Sequence, residues 1–212
     1  MKIKPIFSKK TVPYEESFSF MEDAVSKIAN DNSEEIVWFL EHEAILTAGT
    51  SAREEDVLGD EIPIFKTNRG GKHTLHAPGQ RVVYLMINLK KRAFPNIPDP
   101  RRYILDLEEV IINSLAKVGI KGEIREGRVG VWVINPLTEK EEKIAAIGVR
   151  FSKGVTWHGI AINVKNDLSL FKAINPCGIT EFGVCSLESL GIKIEMEEFD
   201  KILLSEISKK WN

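Results

Sequence analysis

Residues 69–80 (R-G-G-K-H-T-L-H-A-P-G-Q) limit what this chain can fold into more than any other stretch. Three glycines and a proline exclude a helix there and make a poor strand. Residues 81–89 (R-V-V-Y-L-M-I-N-L) follow at once, apolar and β-branched, and read as a strand entering a core. A hairpin needs only about two to five connecting residues, so a longer irregular run pinned to a core strand is usually functional. Gly70 and Gly71 let the backbone approach a ligand and offer it N–H groups, and Arg69 adds a fixed positive charge. A wide surface turn with incidental histidines is the plainer alternative. The ligand cradle accounts for more of the residues.

The rest of the chain supplies a sheet and helices around that loop. Residues 2–7 read as a short strand. Tyr14, Phe18, Met21, Val25 and Ile28 repeat at helical spacing after Pro13, and residues 30–33 (N-D-N-S) end that helix. Strands are expected at 35–40, 44–47 and 62–66. His42, among glutamates, is expected in a solvated turn rather than at a metal. Residues 47–50 (T-A-G-T) form a small-residue loop. Residues 90–92 (K-K-R) read as a solvated basic turn. Asp99-Pro100 is a strong helix start, and Ile104, Leu107, Ile111, Leu115 and Val118 give its buried stripe before Gly119. Strands near 121–125 and 129–133 come next. Residues 143–151 and 155–164 then pair as a hairpin through Ser152-Lys153-Gly154. Asp167 caps a short helix ending near Ile174, residues 175–178 (N-P-C-G) make a tight turn, and a last helix covers Met196–Trp211. With no repeat and no Pro/Ser-rich linker, the expectation is one α+β domain over 1–212, its sheets mixed and largely antiparallel, flanked by helices.

Composition excludes several function classes. At 212 residues, 43% hydrophobic and 28% charged, the chain reads as a globular protein. A net charge of −2 argues against a general nucleic-acid binder. No apolar run is long enough to span a bilayer, and residues 1–7 lack the apolar core of a signal peptide, so the expected location is cytoplasmic. Two cysteines, Cys177 and Cys185, make no disulfide framework. No zinc-ligand spacing, Walker A loop or G-x-G-x-x-G is present.

Cys177 is the sharper candidate for chemistry. It sits between Pro176, which has no N–H, and Gly178, which leaves one side unshielded. A cysteine is a nucleophile only as thiolate, so it needs a nearby cation or base. Cys185, in G-V-C-S-L, reads as a small buried hydrophobe. Lys143 precedes the apolar run Ile144-Ala145-Ala146-Ile147-Gly148, so its stem enters the core. It is either the base or a strand-end lysine reaching back to water. His76 and His158 could orient groups or donate hydrogen bonds. A structural role is the alternative for each, more so for His158 inside a strand-like run.

Three blocks in this order resemble one family, the lipoyl(octanoyl) transferases: R-G-G-K-H-T-L-H-A-P-G-Q with V-V-Y after it, K-I-A-A-I-G-V-R, and W-H-G-I-A-I-N-V-x-x-D-L-x-x-F-x-x-I-x-P-C-G-I. The resemblance runs from the first helix to the end of the chain. Ala77 stands where the family commonly has glycine and Leu75 where an aromatic is frequent, substitutions that bear on pocket shape. The resemblance implies a Cys177–Lys143 pair. It also implies an acyl pocket from Arg69, Gly70, Gly71, His76, Gly79, Gln80, Ala146, Ile147, Gly148, His158, Gly159 and Ala161. It implies a fold like that of biotin and lipoate protein ligases, and no cofactor, because a thioester arrives already activated. The implied donor is octanoyl-acyl carrier protein. The implied acceptors are lipoyl domains of 2-oxo-acid dehydrogenase complexes and the glycine cleavage H protein, with neither nucleic acid nor membrane as partner. Backbone N–H groups at Gly178 or at Gly70-Gly71 are candidates for stabilising the oxyanion. Lys90, Lys91, Arg92, Arg101 and Arg102 are candidates for meeting an acidic carrier. An ATP-dependent ligase and a non-catalytic carrier-binding module are the competing functions.

Overall fold

The computed structural model describes residues 3–59, 61–92, 99–174 and 182–211. Three largely apolar strands form its centre: β2 (Ile36–Leu40), β6 (Gln80–Met86) and β10 (Val155–Asn163), each buried along its whole length. Strands covered on both faces are rich in apolar residues, with neighbours pointing to opposite sides. The buried polar residues among them, Gln80, Arg81, Thr156, His158 and Asn163, find partners inside the protein or line the site. Val37, Phe39, Val83, Leu85, Ile160 and Ile162 enter one core, whereas Ile36, Trp38, Leu40, Val82, Tyr84 and Ala161 enter the other.

β1 (Lys4–Phe7), β9 (Glu141–Ser152), β8 (Arg128–Ile134) and β7 (Glu123–Arg125) complete the main sheet, in the order β1-β2-β6-β10-β9-β8-β7. Its pairings are antiparallel except β1 with β2 and the short β11 (Gly183–Val184), which lies parallel to β9. The amphipathic helix α1 (Tyr14–Ala29) covers one face with Met21, Val25 and Ile28. Helices α3 (Pro100–Lys117) and α4 (Met196–Trp211) cover the other. Asp99 caps α3 by accepting from the Arg101 N–H at 2.9 Å, with Pro100 in the first turn. Leu107, Ile111 and Leu115 of its stripe are fully buried, each burial contributing about 1.5–3 kcal/mol. The architecture is therefore α+β with mixed, largely antiparallel sheets. No helix among the described residues is long and apolar enough to cross a membrane.

A second sheet of three short strands corrects the reading of the central loop. β3 (Ile45–Ala48) pairs with β4 (Ile64–Lys66) and with β5 (His73–His76), which lies inside the glycine-rich run. The Gly-Gly pair ends before His73 and Pro78 follows His76, so the four residues between them are unencumbered. Leu75 is fully buried in a small core with Leu46, Ile62 and Ile174, and that burial fixes the strand.

Two other expectations also fail. His42 is buried, with Nδ1 2.6 Å from the Val12 carbonyl and Nε2 2.8 Å from the Tyr84 hydroxyl, so the turn it occupies is inside the protein. Residues 90–92 belong to one helical turn, α2 (Leu89–Arg92), whose Lys90 and Lys91 are exposed as expected, but whose Arg92 turns inward, pairs with buried Glu35 and donates to the Trp211 carbonyl. The helix-to-strand connection at 30–35 supplies carboxylates that a reading of local sequence does not bring near. The tight turn expected at 175–178 lies outside the described residues.

Candidate functional site

The small sheet and the 69–72 turn lean over the α1 side of the main sheet and enclose a two-part cavity. The inner part, about 40 Å³, lies between Tyr14 of α1, Arg69 and the β6, β9 and β10 strands. The outer part, about 280 Å³, opens beside Lys143, Arg128 and Lys72. Arg69, Thr74, Ala146, Ile147 and Ala161 line both parts, so they are one channel with a narrow closed end and a wide mouth.

The closed end is aromatic and histidine-rich. Tyr14, Tyr84, His76 and His158 line it, with His42 directly behind. His76 Nδ1 lies 2.8 Å from Gln80 Oε1, and Gln80 in turn donates to Asn163 Oδ1 at 3.0 Å. Burial, with the nearby His42 second, holds His76 well below the ordinary imidazole range. Burial pushes His42 down to about 4, and burial aided by the Arg69 and Arg150 charges pushes His158 down to about 3. At neutral pH the histidine rings of this end are uncharged. Arg69, whose guanidinium is engaged by the Thr47 and Gly70 oxygens, is the one charged side chain in its lining among the described residues, and the rest of the wall suits an apolar chain.

His158 carries backbone strain. It stands at φ +58° in the middle of β10, a left-handed conformation that a non-glycine residue holds at about 1–3 kcal/mol. The turn sends its N–H to Met21 Sδ at 3.4 Å and stacks its ring on Trp157 at 4.9 Å. Nε2 reaches Asn68 Oδ1 at 3.2 Å, beside the 69–72 turn. Gly159 follows because β6 passes too close for any side chain: a Cβ there would lie 2.1 Å from the Val83 carbonyl oxygen. The W-H-G-I-A segment is thus shaped to bring one ring into the cavity wall.

Arg69 acts as the strut of the overhanging turn. Its guanidinium donates to the Thr47 carbonyl at 2.7 Å, to Thr47 Oγ1 at 2.9 Å and to the Gly70 carbonyl at 2.9 Å. At the mouth, Lys143 lies on β9 with Nζ 5.4 Å from the centre of the Trp132 ring, and Arg128 covers the same ring at 4.5 Å. Phe171 and Val184 complete the mouth. They lie on either side of the segment that contains Cys177, which itself falls outside the described residues, as does Gly178.

The residues named from sequence separate by position. Arg69, His76, Ala146, Ile147, Gly148, His158, Gly159 and Ala161 line the inner cavity, while Lys143, Gly71 and Gln80 line the mouth. Gly70 and Gly79 line neither part. The Gly70 N–H donates to the Val149 carbonyl at 3.0 Å, which commits it elsewhere than to an oxyanion, and the Gly79 N–H donates to Glu41 Oε2 at 2.6 Å. Leu75 and Ala77 are buried and line neither part of the channel themselves, although Leu75 lies between Thr74 and His76, which do. Cys185 is buried, and burial pushes its thiol far up, in keeping with a structural role. Of the basic stretch, Lys91 pairs with Asp31, Arg92 with Glu35 and Arg102 with Asp106. Tyr14, Tyr84, Trp132 and Arg128 were not singled out from sequence. Tyr14 and Tyr84 read as core aromatics, and only their contacts with buried histidines mark them: both touch His42, Tyr14 also His76 and Tyr84 also His158. No cluster of metal-ligating side chains occurs among the described residues.

Comparison with known proteins bears on the family and the fold. Residues 13–208 match the lipoyl protein ligase A/B catalytic domain family. An octanoyltransferase of Wolbachia pipientis wMel is 48% identical over 204 residues, covering 96% of this chain and 97% of that protein. Among solved structures, a bi-partite lipoate protein ligase from Thermoplasma acidophilum superposes with a TM-score of 0.70 at 16% identity, over 99% of this chain and 82% of that one. The biotin protein ligase of Aquifex aeolicus gives 0.55 at 14% identity, over 99% and 69%. At such identities the two ligases share the fold, and nothing about chemistry follows from them.

Proposed function

We propose how this chain works from its membership: it belongs to the lipoyl protein ligase A/B catalytic domain family, and within that family it is an octanoyltransferase. It is an enzyme, an acyltransferase of lipoate biosynthesis. In our reading the whole chain, residues 1–212, acts as one catalytic domain in the reducing cytoplasm and passes octanoyl through Cys177, with Lys143 as proton carrier. One observation carries this reading. Phe171 and Val184, which bracket the Cys177 segment, line the same channel mouth as Lys143, and β11 returns the chain alongside Glu142 and Lys143.

The donor is octanoyl-acyl carrier protein. Its chain lies along the channel, with the methyl end toward the narrow inner cavity and the thioester carbonyl at the mouth. Cys177 gives its proton to Lys143 and its sulfur attacks the carbonyl carbon. The carrier's sulfur leaves, taking the proton from Lys143, and octanoyl remains as a thioester on Cys177. In the second half-reaction the lysine amine of a lipoyl domain, of a 2-oxo-acid dehydrogenase complex or of the glycine cleavage H protein, attacks that thioester. Lys143 takes the amine proton and returns it to the cysteine sulfur. Thiol replaces thiol in the first step, and the amide formed in the second commits the acyl group. General-base assistance of this kind typically contributes about 10²–10⁴-fold. Because the acyl group arrives activated, ATP has no role.

The test mixes the protein with octanoyl-acyl carrier protein, without ATP, and follows intact mass. One octanoyl group should appear on the wild type, vanish when a lipoyl domain is added and fail to form on Cys177→Ser. Transfer at the wild-type rate by Cys177→Ala would overturn the covalent route. Dependence on ATP and free octanoate would restore a ligase.

A further inference from the structure

Helix α3 places a carboxylate where its pattern calls for an apolar side chain. Glu108 lies four residues after Ile104 and three before Ile111, on the buried stripe, and it is itself buried among Leu107, Ile111 and Leu115. Its Oε1 accepts a hydrogen bond from the Gly130 N–H at 3.0 Å. Gly130 sits in β8 at φ +120°, a conformation essentially restricted to glycine. A Cβ at Gly130 would lie 2.5 Å from the Ala145 carbonyl oxygen of the neighbouring strand, 2.6 Å from Lys143 Cε and 3.2 Å from its Nζ. The lysine thus occupies the lane that the missing side chain leaves open.

The strands are irregular at this same place. Val131 pairs with Ala145 and Trp132 with Lys143, so one step along β8 matches two along β9. That β-bulge explains why Ile144 and Ala145 are both buried, and bulges re-aim the side chains beside them. Trp132 closes the other side of the lysine, held by its Nε1 donating to the Arg128 carbonyl at 3.0 Å.

We propose that Glu108 is a positioning residue for Lys143: it fixes the backbone at Gly130 that keeps the lysine's lane open, and it sets a carboxylate charge beside the lysine under the channel mouth. The inference rests on the reading of Lys143 as proton carrier. Burial raises the Glu108 carboxyl above the usual range, and the Gly130 N–H and the Lys143 charge act against that rise. Lys143 is the charged side chain that acts on Glu108, and Arg128 of β8, paired with Glu141, shares the Trp132 ring with the lysine.

Glu108→Gln separates the proposal from a plain structural role. The glutamine oxygen still accepts from Gly130, so the fold is kept while the charge is lost. Single-turnover acyl-enzyme formation from octanoyl-acyl carrier protein would be followed by intact mass between pH 6 and 9 for wild type, Glu108→Gln, Gly130→Ala and Lys143→Ala. Glu108→Gln should keep the wild-type melting temperature to within a few degrees, slow the step by about 10- to 100-fold and displace its pH profile, as loss of positioning does. Glu108→Asp should recover part of the rate, and Gly130→Ala should slow the step as well. A slow Lys143→Ala beside a Glu108→Gln with wild-type rate and pH profile overturns the proposal alone. A wild-type rate in Lys143→Ala overturns the reading of Lys143, and the proposal with it.

Discussion

The two ends of the channel share strands β9 and β10 yet are built on opposite terms. The closed end consists of buried, uncharged rings held by a dense set of contacts: His76 to Gln80, Gln80 to Asn163, His42 to Tyr84. The mouth is cationic, with Lys72, Arg128 and Lys143 around a wider and partly exposed space. Packing and the strained His158 backbone are concentrated at the first, and basic side chains at the second, where Arg128 pairs with Glu141 and Lys72 with Asp56. A substitution at the closed end should therefore register mainly in stability and acyl fit. One at the mouth should register mainly in rate.

The largest effect should come from the mouth. Lys143→Ala is expected to slow acyl-enzyme formation by about 10²–10⁴-fold with little change in melting temperature. A large loss of stability with an unchanged rate would erase the contrast. At the closed end, His158→Val should be less stable than His158→Asn by roughly 1–3 kcal/mol, because asparagine tolerates φ +58° and a β-branched side chain does not. Urea denaturation of the two variants measures that difference, and equal stabilities would mean that the strand relaxes.

Acid should act on the closed end next. His42, His76 and His158 have folded pKa values depressed below the unfolded value near 6.5. Below pH 6.5 the unfolded chain takes up protons that the folded chain refuses, so stability present above pH 6.5 is lost as pH falls toward 4. Each such group contributes at most about 1.4 kcal/mol per pH unit in that window. Asp200, which burial lifts to about 6, and Glu108, whose carboxyl burial also raises, act oppositely below their folded values, against these three histidines and the likewise depressed His73. Urea midpoints at pH 7.0 and 5.0 check the net sign, and a midpoint that rises on acidification would contradict it. The smallest effect is expected from rim charges. Lys72→Glu should slow reaction with the acidic carrier a few-fold, and less so at high salt. Lys90→Glu with Lys91→Glu, away from the mouth, should change the rate less. The reverse ranking would move the docking surface to α2.

The closed end and the mouth also differ in how far the sequence discloses them. Periodicity reveals the core strands and the stripe of α3, because burial on one face demands it. The W-H-G-I-A and K-I-A-A-I-G segments read locally as ordinary strands, and it is the family resemblance they carry that points to them as site-lining. His42 and Arg92 were misjudged because their partners, Tyr84 and Glu35, lie 42 and 57 positions away. The strand at His73–His76 was hidden by the glycines and proline around it. The bulge at Ile144 is equally invisible to a local reading, since it exists only in the pairing of β8 with β9.

The claim that the mouth performs the chemistry is tested most directly by the reactivity of Cys177 itself. Alkylation by iodoacetamide, resolved by site and followed against pH, should show Cys177 reacting fast near neutral pH and Cys185 slowly. In Lys143→Ala the Cys177 profile should move to higher pH, toward the free-thiol value of about 8.5. Identical Cys177 profiles with and without Lys143 would contradict the account.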